Sequence, residues 1–209
     1  MLREETVEPA TLGLLKKIVS LEQFRDFRLV GGTALSLLYG HRISVDLDFF
    51  TDKPLDKSNI ITTLEDNFGH VDSRDITRSI LQCTIQNVKV DIVSVRDPFK
   101  YPVQLIDDIP FPDIRELIAL KLNAIKGRGR KKDFWDVAKL LEFYSLEELF
   151  EFYHDRYFYD DTVAVVRSMN YFNDAEGDLD PQTLDKMTWA GVKRAVIEAT
   201  KIYYKRKIN

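Results

Sequence analysis

One cysteine, three histidines and no apolar run of membrane-spanning length set the first limits on this chain of 209 residues. The lone Cys83 excludes an intramolecular disulfide and a cysteine-built zinc cage. His41, His70 and His154 have no partner at metal-ligand spacing and read as ordinary structural or surface histidines. No segment approaches the roughly 18–20 apolar residues that cross a bilayer. The amino end, Met1-Leu2-Arg3-Glu4-Glu5, is acidic with no apolar stretch behind it, so no signal peptide is read. The expectation is a soluble, cytoplasmic protein without a membrane partner. A positive excess is also missing. With 34 acids against 30 bases and a net charge of −4, the chain is no general nucleic-acid coat. It contains no G-x-x-x-x-G-K-[ST], no G-x-G-x-x-G and no G-x-S-x-G, which removes the common phosphate loops and the nucleophile elbow. It has no internal repeat.

What is present is a chain able to bury a core, 44% hydrophobic and 11% aromatic, as one domain or one domain with a helical appendage. Charged residues, 31% of the total, run along its whole length and exclude disorder. The periodicity predicts a helix over Pro9–Val19, a short strand over Phe27–Val30 running into Gly31-Gly32, and a helix over Thr33–Tyr39. Ile43–Phe50 alternates and is rich in β-formers, so it reads as a strand. A helix follows over Lys57–Phe68, capped by Asp56 or Ser58. Strands over Ser79–Ile85 and Val88–Val93 are joined by Gln86-Asn87 as a hairpin. Beyond residue 113 the pattern is helical: Asp113 and Glu116 have capping-box spacing before a helix to Gly127, and Lys132–Phe143 follows. Ser145 with Glu148 opens a third helix, and others are expected over Asp161–Tyr171, Pro181–Met187 and Gly191–Tyr204. The acidic stretch 173–181 lacks the ligand spacing of an EF-hand and reads as a solvated loop. The fold class is therefore α+β: a small mixed sheet with flanking helices, then a helical C-terminal half.

Chemistry concentrates in Leu29-Val30-Gly31-Gly32-Thr33 and, after a spacer of twelve residues, Asp46-Leu47-Asp48. On a strand Asp46 and Asp48 share one face, about 6.5–7 Å apart, with Val45, Leu47 and Phe49 pointing into the core. Two carboxylates on one face repel and lose hydration, and a divalent cation compensates both effects. Oxygen donors without nearby His or Cys suit Mg²⁺ or Mn²⁺. Gly31-Gly32 lets the backbone approach a ligand, the helix behind it offers free N–H groups to an anion, and Thr33 adds a hydroxyl. A phosphate cradle near a metal-binding carboxylate pair is the layout of phosphoryl or nucleotidyl transfer. The plainer reading is a tight turn and a solvent-facing pair on an edge strand. Asp91, on the strand Val88–Val93, either completes a three-carboxylate site or pairs with Lys89. The run Lys121–Lys132 carries six bases and no acid. Lys121 and Arg128 fall on one helical face, as do Asp133 and Asp136, so these acids either orient the cations or form surface pairs. Trp135 reads as a core residue.

The order Gly31-Gly32-Thr33, Asp46-Leu47-Asp48 and a later strand Asp91 resembles the DNA polymerase β-type nucleotidyltransferase superfamily. The string His41-Arg42-Ile43-Ser44-Val45-Asp46-Leu47-Asp48-Phe49-Phe50 is similar to the AbiEii/AbiGii toxin nucleotidyltransferases, which include the MenT-type toxins. A second signature of that family resembles Lys121 to Arg128 and then Lys132-Asp133-Phe134-Trp135-Asp136. Thr33 stands where the wider superfamily most often has Ser.

By this resemblance, residues 1–110 form a nucleotidyltransferase core, and 111–209 a helical subdomain that packs on it and closes the cleft. Asp46, Asp48 and Asp91 would hold metal, two Mg²⁺ or else Mn²⁺. Gly31, Gly32, Thr33, Arg42, Ser44, Lys121 and Arg128 would bind the nucleotide, with Lys121 and Asp133 catalytic and Asp136 supporting. The implied reaction moves a nucleoside monophosphate from an NTP to an acceptor. The acceptor implied is the 3′ end of tRNA, and the protein would be the toxin of a pair with a cognate antitoxin. Alternatives are a small-molecule or protein acceptor, or a catalytically silent nucleotide-binding module.

Overall fold

A computed structural model describes residues 1–208. The chain divides into two compact units, one of Met1–Leu38 with Ser44–Asp113, the other of Tyr39–Ile43 with the chain from Ile114 on.

The first unit is built on a five-stranded mixed sheet. Its strands are β1 (Arg28–Val30), β2 (Leu47–Thr51), β3 (Asp72–Thr77), β4 (Ile80–Ile85) and β5 (Val88–Ser94), in the order β1-β2-β5-β4-β3. β1 runs antiparallel to β2, β2 parallel to β5, and β5, β4 and β3 form an antiparallel meander. Alternation sets the inner face: Leu29, Leu47, Phe49, Leu81, Cys83, Val90 and Ile92 are all buried. Around the sheet lie α1 (Pro9–Val19), α2 (Gly31–Tyr39) and α3 (Lys57–Phe68). α1 buries Leu14, Leu15 and Ile18, a stripe at helical spacing. α3 opens where the Asp56 carboxylate accepts from the Asn59 N–H. Gln86 and Asn87 both have positive φ, 51° and 65°, the backbone of a two-residue hairpin turn between β4 and β5. A two-stranded ribbon, β6 (Gln104–Ile106) and β7 (Ile109–Phe111), completes this unit.

The second unit is helical: α4 (Ile114–Gly127), α5 (Lys131–Leu140), α6 (Leu146–Arg156), α7 (Thr162–Met169) and α8 (Trp189–Ile208). Ser145 and Glu148 cap α6 reciprocally, as their spacing predicts. Trp135 is a core residue, stacked on Trp189 with ring centroids 5.6 Å apart. A buried ion pair, Arg156 Nη1 to Glu116 Oε1 at 2.8 Å, fastens α6 to α4. None of the helices among the described residues is long and apolar enough to cross a membrane.

Three expectations are corrected. Ile43–Asp46 is not strand; β2 begins at Leu47, and Val45 is 52% exposed rather than buried. The Ser44 N–H donates to the carbonyl of Thr6, which draws this stretch away from sheet pairing. Pro181–Met187 is not a helix. Around Thr183 its backbone pairs with His41–Ile43 instead: Ile43 N–H donates to Gln182 O at 2.8 Å, and Leu184 N–H to His41 O at 2.9 Å. The acidic loop is not wholly solvated, since the buried Lys131 ammonium takes Asp178 O at 2.5 Å and Asp180 Oδ1 at 3.0 Å. Strands β3, β6 and β7 were outside the expectation. β3 (Asp-Ser-Arg-Asp-Ile-Thr) is an edge strand with nearly every residue exposed, so its sequence shows no apolar alternation.

Candidate active site

In the first unit the site grows from the β1–α2 junction. Gly31 has φ +72°, a conformation L side chains rarely adopt, and α2 begins at this residue rather than at Thr33. A Cβ built on Gly31 would meet the Asp48 carboxylate, 2.9 Å from its Cγ. Only glycine lets this carboxylate lie against the start of α2. The first turn of a helix carries N–H groups without intrahelical partners, the feature that receives phosphates.

Thr33 is 1% exposed. Its hydroxyl lies 2.9 Å from Ser44 Oγ and donates to the carbonyl of Asp46. Thr33 and Ser44, expected at the nucleotide, are thus buried and fix the backbone at Asp46 in this state. Asp46 stands just before β2 and Asp48 within it, each partly exposed. Asp48 lies in register with Asp91 across the parallel β2–β5 pair, so the two share a sheet face. Of the two alternatives for Asp91, the pairing with Lys89 is present. Asp91 is on the Asp48 face, and its carboxylate is held by Lys89 Nζ at 2.6 Å and Gln82 Nε2 at 2.8 Å. Among the described residues, no three His, Cys, Asp or Glu side chains are gathered as a group able to hold a metal ion. Asp46, Asp48 and Asp91 contribute carboxylate oxygens, the hard donor type that Mg²⁺ and Mn²⁺ take.

In the second unit the other signature forms a buried ion cluster. Lys121 Nζ lies 2.8 Å from Asp133 Oδ1 and 2.7 Å from Asp136 Oδ2. Asp136 also receives Arg42 through Nε at 2.7 Å and Nη2 at 3.0 Å, and His41 Nε2 lies 2.7 Å from its Oδ1. Burial alone would lower the Lys121 pKa, but Asp133 and Asp136 outweigh it and hold the ammonium charged well above its usual range. Burial would likewise raise Asp136, yet Arg42 and Lys121 keep its carboxyl well below the carboxylate range. Asp133 also accepts from the Arg130 N–H at 3.2 Å, closing the amino end of α5. Arg128, by contrast, is exposed. The pairing of Lys121 with Asp133 and Asp136 is one of the arrangements that their helical faces left open. Spacing did not foretell the part of His41, read as an isolated histidine, nor that of Gln82 on Asp91. His41 was legible only through its place directly before Arg42.

Known structures share this fold. A Helicobacter pylori protein assigned to the nucleotidyltransferases superposes with a TM-score of 0.58 at 19% identity, over 97% of this chain and 99% of its own. JHP933 from Helicobacter pylori gives a TM-score of 0.58 at 20% identity, over 96% and 94%. The class is thus that of the nucleotidyltransferase fold. The model of the AbiEii nucleotidyl transferase toxins, of type IV toxin–antitoxin systems, matches residues 13–201, and the chain belongs to this family. The uncharacterized protein aq_aa25 of Aquifex aeolicus (strain VF5) is 33% identical over 171 residues, 79% of this chain and 82% of that relative. The protein is a nucleotidyltransferase, and its family implies a nucleotide substrate and a cognate antitoxin.

Proposed function

We propose that this enzyme transfers a nucleoside monophosphate from an NTP to the 3′ end of an RNA, with tRNA the first acceptor to test. The observation that carries this reading is the contact of Gly31 with Asp48, which puts a carboxylate beside the helix start that can receive a triphosphate. In the reaction the acceptor hydroxyl oxygen bonds to the α-phosphorus. The bond from that phosphorus to the bridging oxygen breaks, pyrophosphate leaves, and the hydroxyl proton passes to water. Asp46 and Asp48 are the residues assigned to hold Mg²⁺, with Asp91 at a second ion. When bound, such ions neutralise the triphosphate and make the hydroxyl more acidic. Thr33 holds the Asp46 backbone, and Lys89 and Gln82 hold Asp91 on the face of Asp48. Lys121 and Asp133 serve as the ion pair that joins α4 to α5, and Arg128 as the exposed cation of that signature.

The test is incubation with each of four NTPs labelled at the α-phosphate, Mg²⁺ and total tRNA, beside Asp48→Asn. A labelled tRNA band that vanishes in the variant is the expected result. Pyrophosphate release without labelled RNA would replace the RNA acceptor by a small molecule or a protein. Silence of the wild type with every NTP and acceptor would remove the reading.

A further inference from the structure

Apart from Arg128, the helical unit exposes a surface around α7 that the proposed transfer chemistry leaves unused. Phe158, Tyr159 and Tyr171 flank α7 and are 72%, 56% and 53% exposed. Between them Val163 and Arg167, four residues apart, share a face of α7 and are exposed as well. Phe158 and Tyr159 pack edge to face at one end of α7, ring centroids 5.4 Å apart, and Tyr171 stands at the other, so exposed rings flank both ends of one short helix. Asp160 accepts from Lys126, which ties the turn carrying the first two rings to the end of α4. Beside Tyr171 opens a cavity of about 300 Å³ whose polar lining is Lys126, Arg128, Arg167, Ser168, Tyr171 and Asp174. Arg128 follows the carboxyl end of α4 and Arg167 sits in the last turn of α7, where backbone carbonyls favour a cation. Arg128 and Arg167 are both exposed, and among the described residues neither side chain makes a hydrogen bond or ion pair. Lys126 is neutralised by Asp160, and Asp174 offsets one of the two arginines, so the lining keeps a positive balance of a single charge.

We infer that this face of α7 is a tract for a single strand of nucleic acid, with Tyr171 and the Phe158–Tyr159 pair stacking on bases and Arg167 and Arg128 meeting phosphates. Flat rings interleaved with exposed guanidinium groups recognise an unpaired strand whatever its sequence. α7 has eight residues and is roughly 12 Å long, so its two ends address separate nucleotides of one strand. The overall acidity of the chain is no obstacle, because a strand laid along one helix meets local charge. In the cell this inference rests on the reading that the acceptor is RNA.

The experiment measures binding of a fluorescein-labelled, mixed-sequence single-stranded RNA by anisotropy, and label transfer to RNA, for wild type, Arg167→Ala, Tyr171→Ala and Lys201→Ala, an exposed control on α8. Tyr171→Ala and Arg167→Ala should each weaken strand binding by about tenfold, the scale of one lost stack or phosphate contact. They should also raise the KM for acceptor RNA while leaving the KM for NTP unchanged, and Lys201→Ala should match wild type. Binding and acceptor KM unchanged in both variants would overturn the tract yet leave the RNA acceptor standing. Strand binding that depends on Arg167 and Tyr171 without transfer to any RNA would keep the tract and remove the RNA acceptor. No strand binding by the wild type would overturn the tract and leave the face to a protein partner.

Discussion

Gly31 and Asp48 cannot both carry a side chain where they stand: a methyl on the glycine would lie 2.9 Å from the Cγ of the aspartate. The glycine serves two needs at once, a φ of +72° and the close approach of a carboxylate. Gly31→Ala should lose about 1–2 kcal/mol from the left-handed backbone alone. It should lose more from the clash, and transfer should fall on the order of 10²-fold as the carboxylate is displaced. Urea melts of Gly31→Ala in the wild-type and Asp48→Ala backgrounds separate the two costs. Equal destabilisation in both backgrounds would mean that the close approach is not the cause.

Thr33 places Asp46 through its hydroxyl. Thr33→Val keeps the shape and removes the donor, leaving Asp46 O and Ser44 Oγ without this partner. The expected loss is about 1–3 kcal/mol of stability, the cost of stranding buried polar groups. The kcat should drop more than the KM for NTP rises, because the residue acts on the aspartate. Thr33→Ser restores the hydroxyl and should restore most of the rate. A Val variant with wild-type kcat would show that the Asp46 backbone needs no such anchor.

How far the sequence could be read depends on where each instruction resides. α1, α3 and the β4–β5 hairpin are written locally, in a 3.6-residue stripe, an Asp cap and a Gln-Asn turn, and they fall within a residue or two of expectation. The strand expected from Ile43 fails at Val45 because Ser44 and Asp46 are bonded to Thr6 and Thr33 instead. The helix expected from Pro181 fails because its backbone bonds go to His41 and Ile43, some 140 positions earlier. Periodicity carries no information about partners so distant in sequence. Of the site, strand alternation told only which face of its own strand Asp91 takes; its register with Asp48 and the union of Asp136 with His41 and Arg42 both needed three dimensions.

Cys83 offers a direct reading of sheet integrity. It is fully buried on β4, and burial, with Asp91 and Asp72 adding to it, pushes its thiol up to about 11. At pH 8 the native protein should therefore react with a disulfide reagent far more slowly than the same protein in urea. The rate under native conditions should follow opening of the sheet. Native reactivity equal to that of the unfolded chain would contradict the burial.

Asp136 carries the sharpest pH dependence expected of the helical unit. One carboxylate bonds His41, Arg42 and Lys121, all of them buried. Asp136→Ala leaves two buried cations short of their partner and should cost about 3–5 kcal/mol. Asp136→Asn keeps the shape and removes the charge, so its loss should titrate. Because the folded-state pKa lies below the ordinary 3.8, the charged form contributes stability that is fully present above pH 3.8. That contribution disappears as the pH falls through the lowered value. The stability gap between wild type and Asp136→Asn in urea should be widest near neutrality and shrink below pH 3.8. Lys121 has the opposite sign: its pKa is raised, so its contribution is complete below 10.5 and survives past that pH. A gap between wild type and Asp136→Asn that stayed constant from neutrality down to pH 2 would show that the cluster does not need the negative charge.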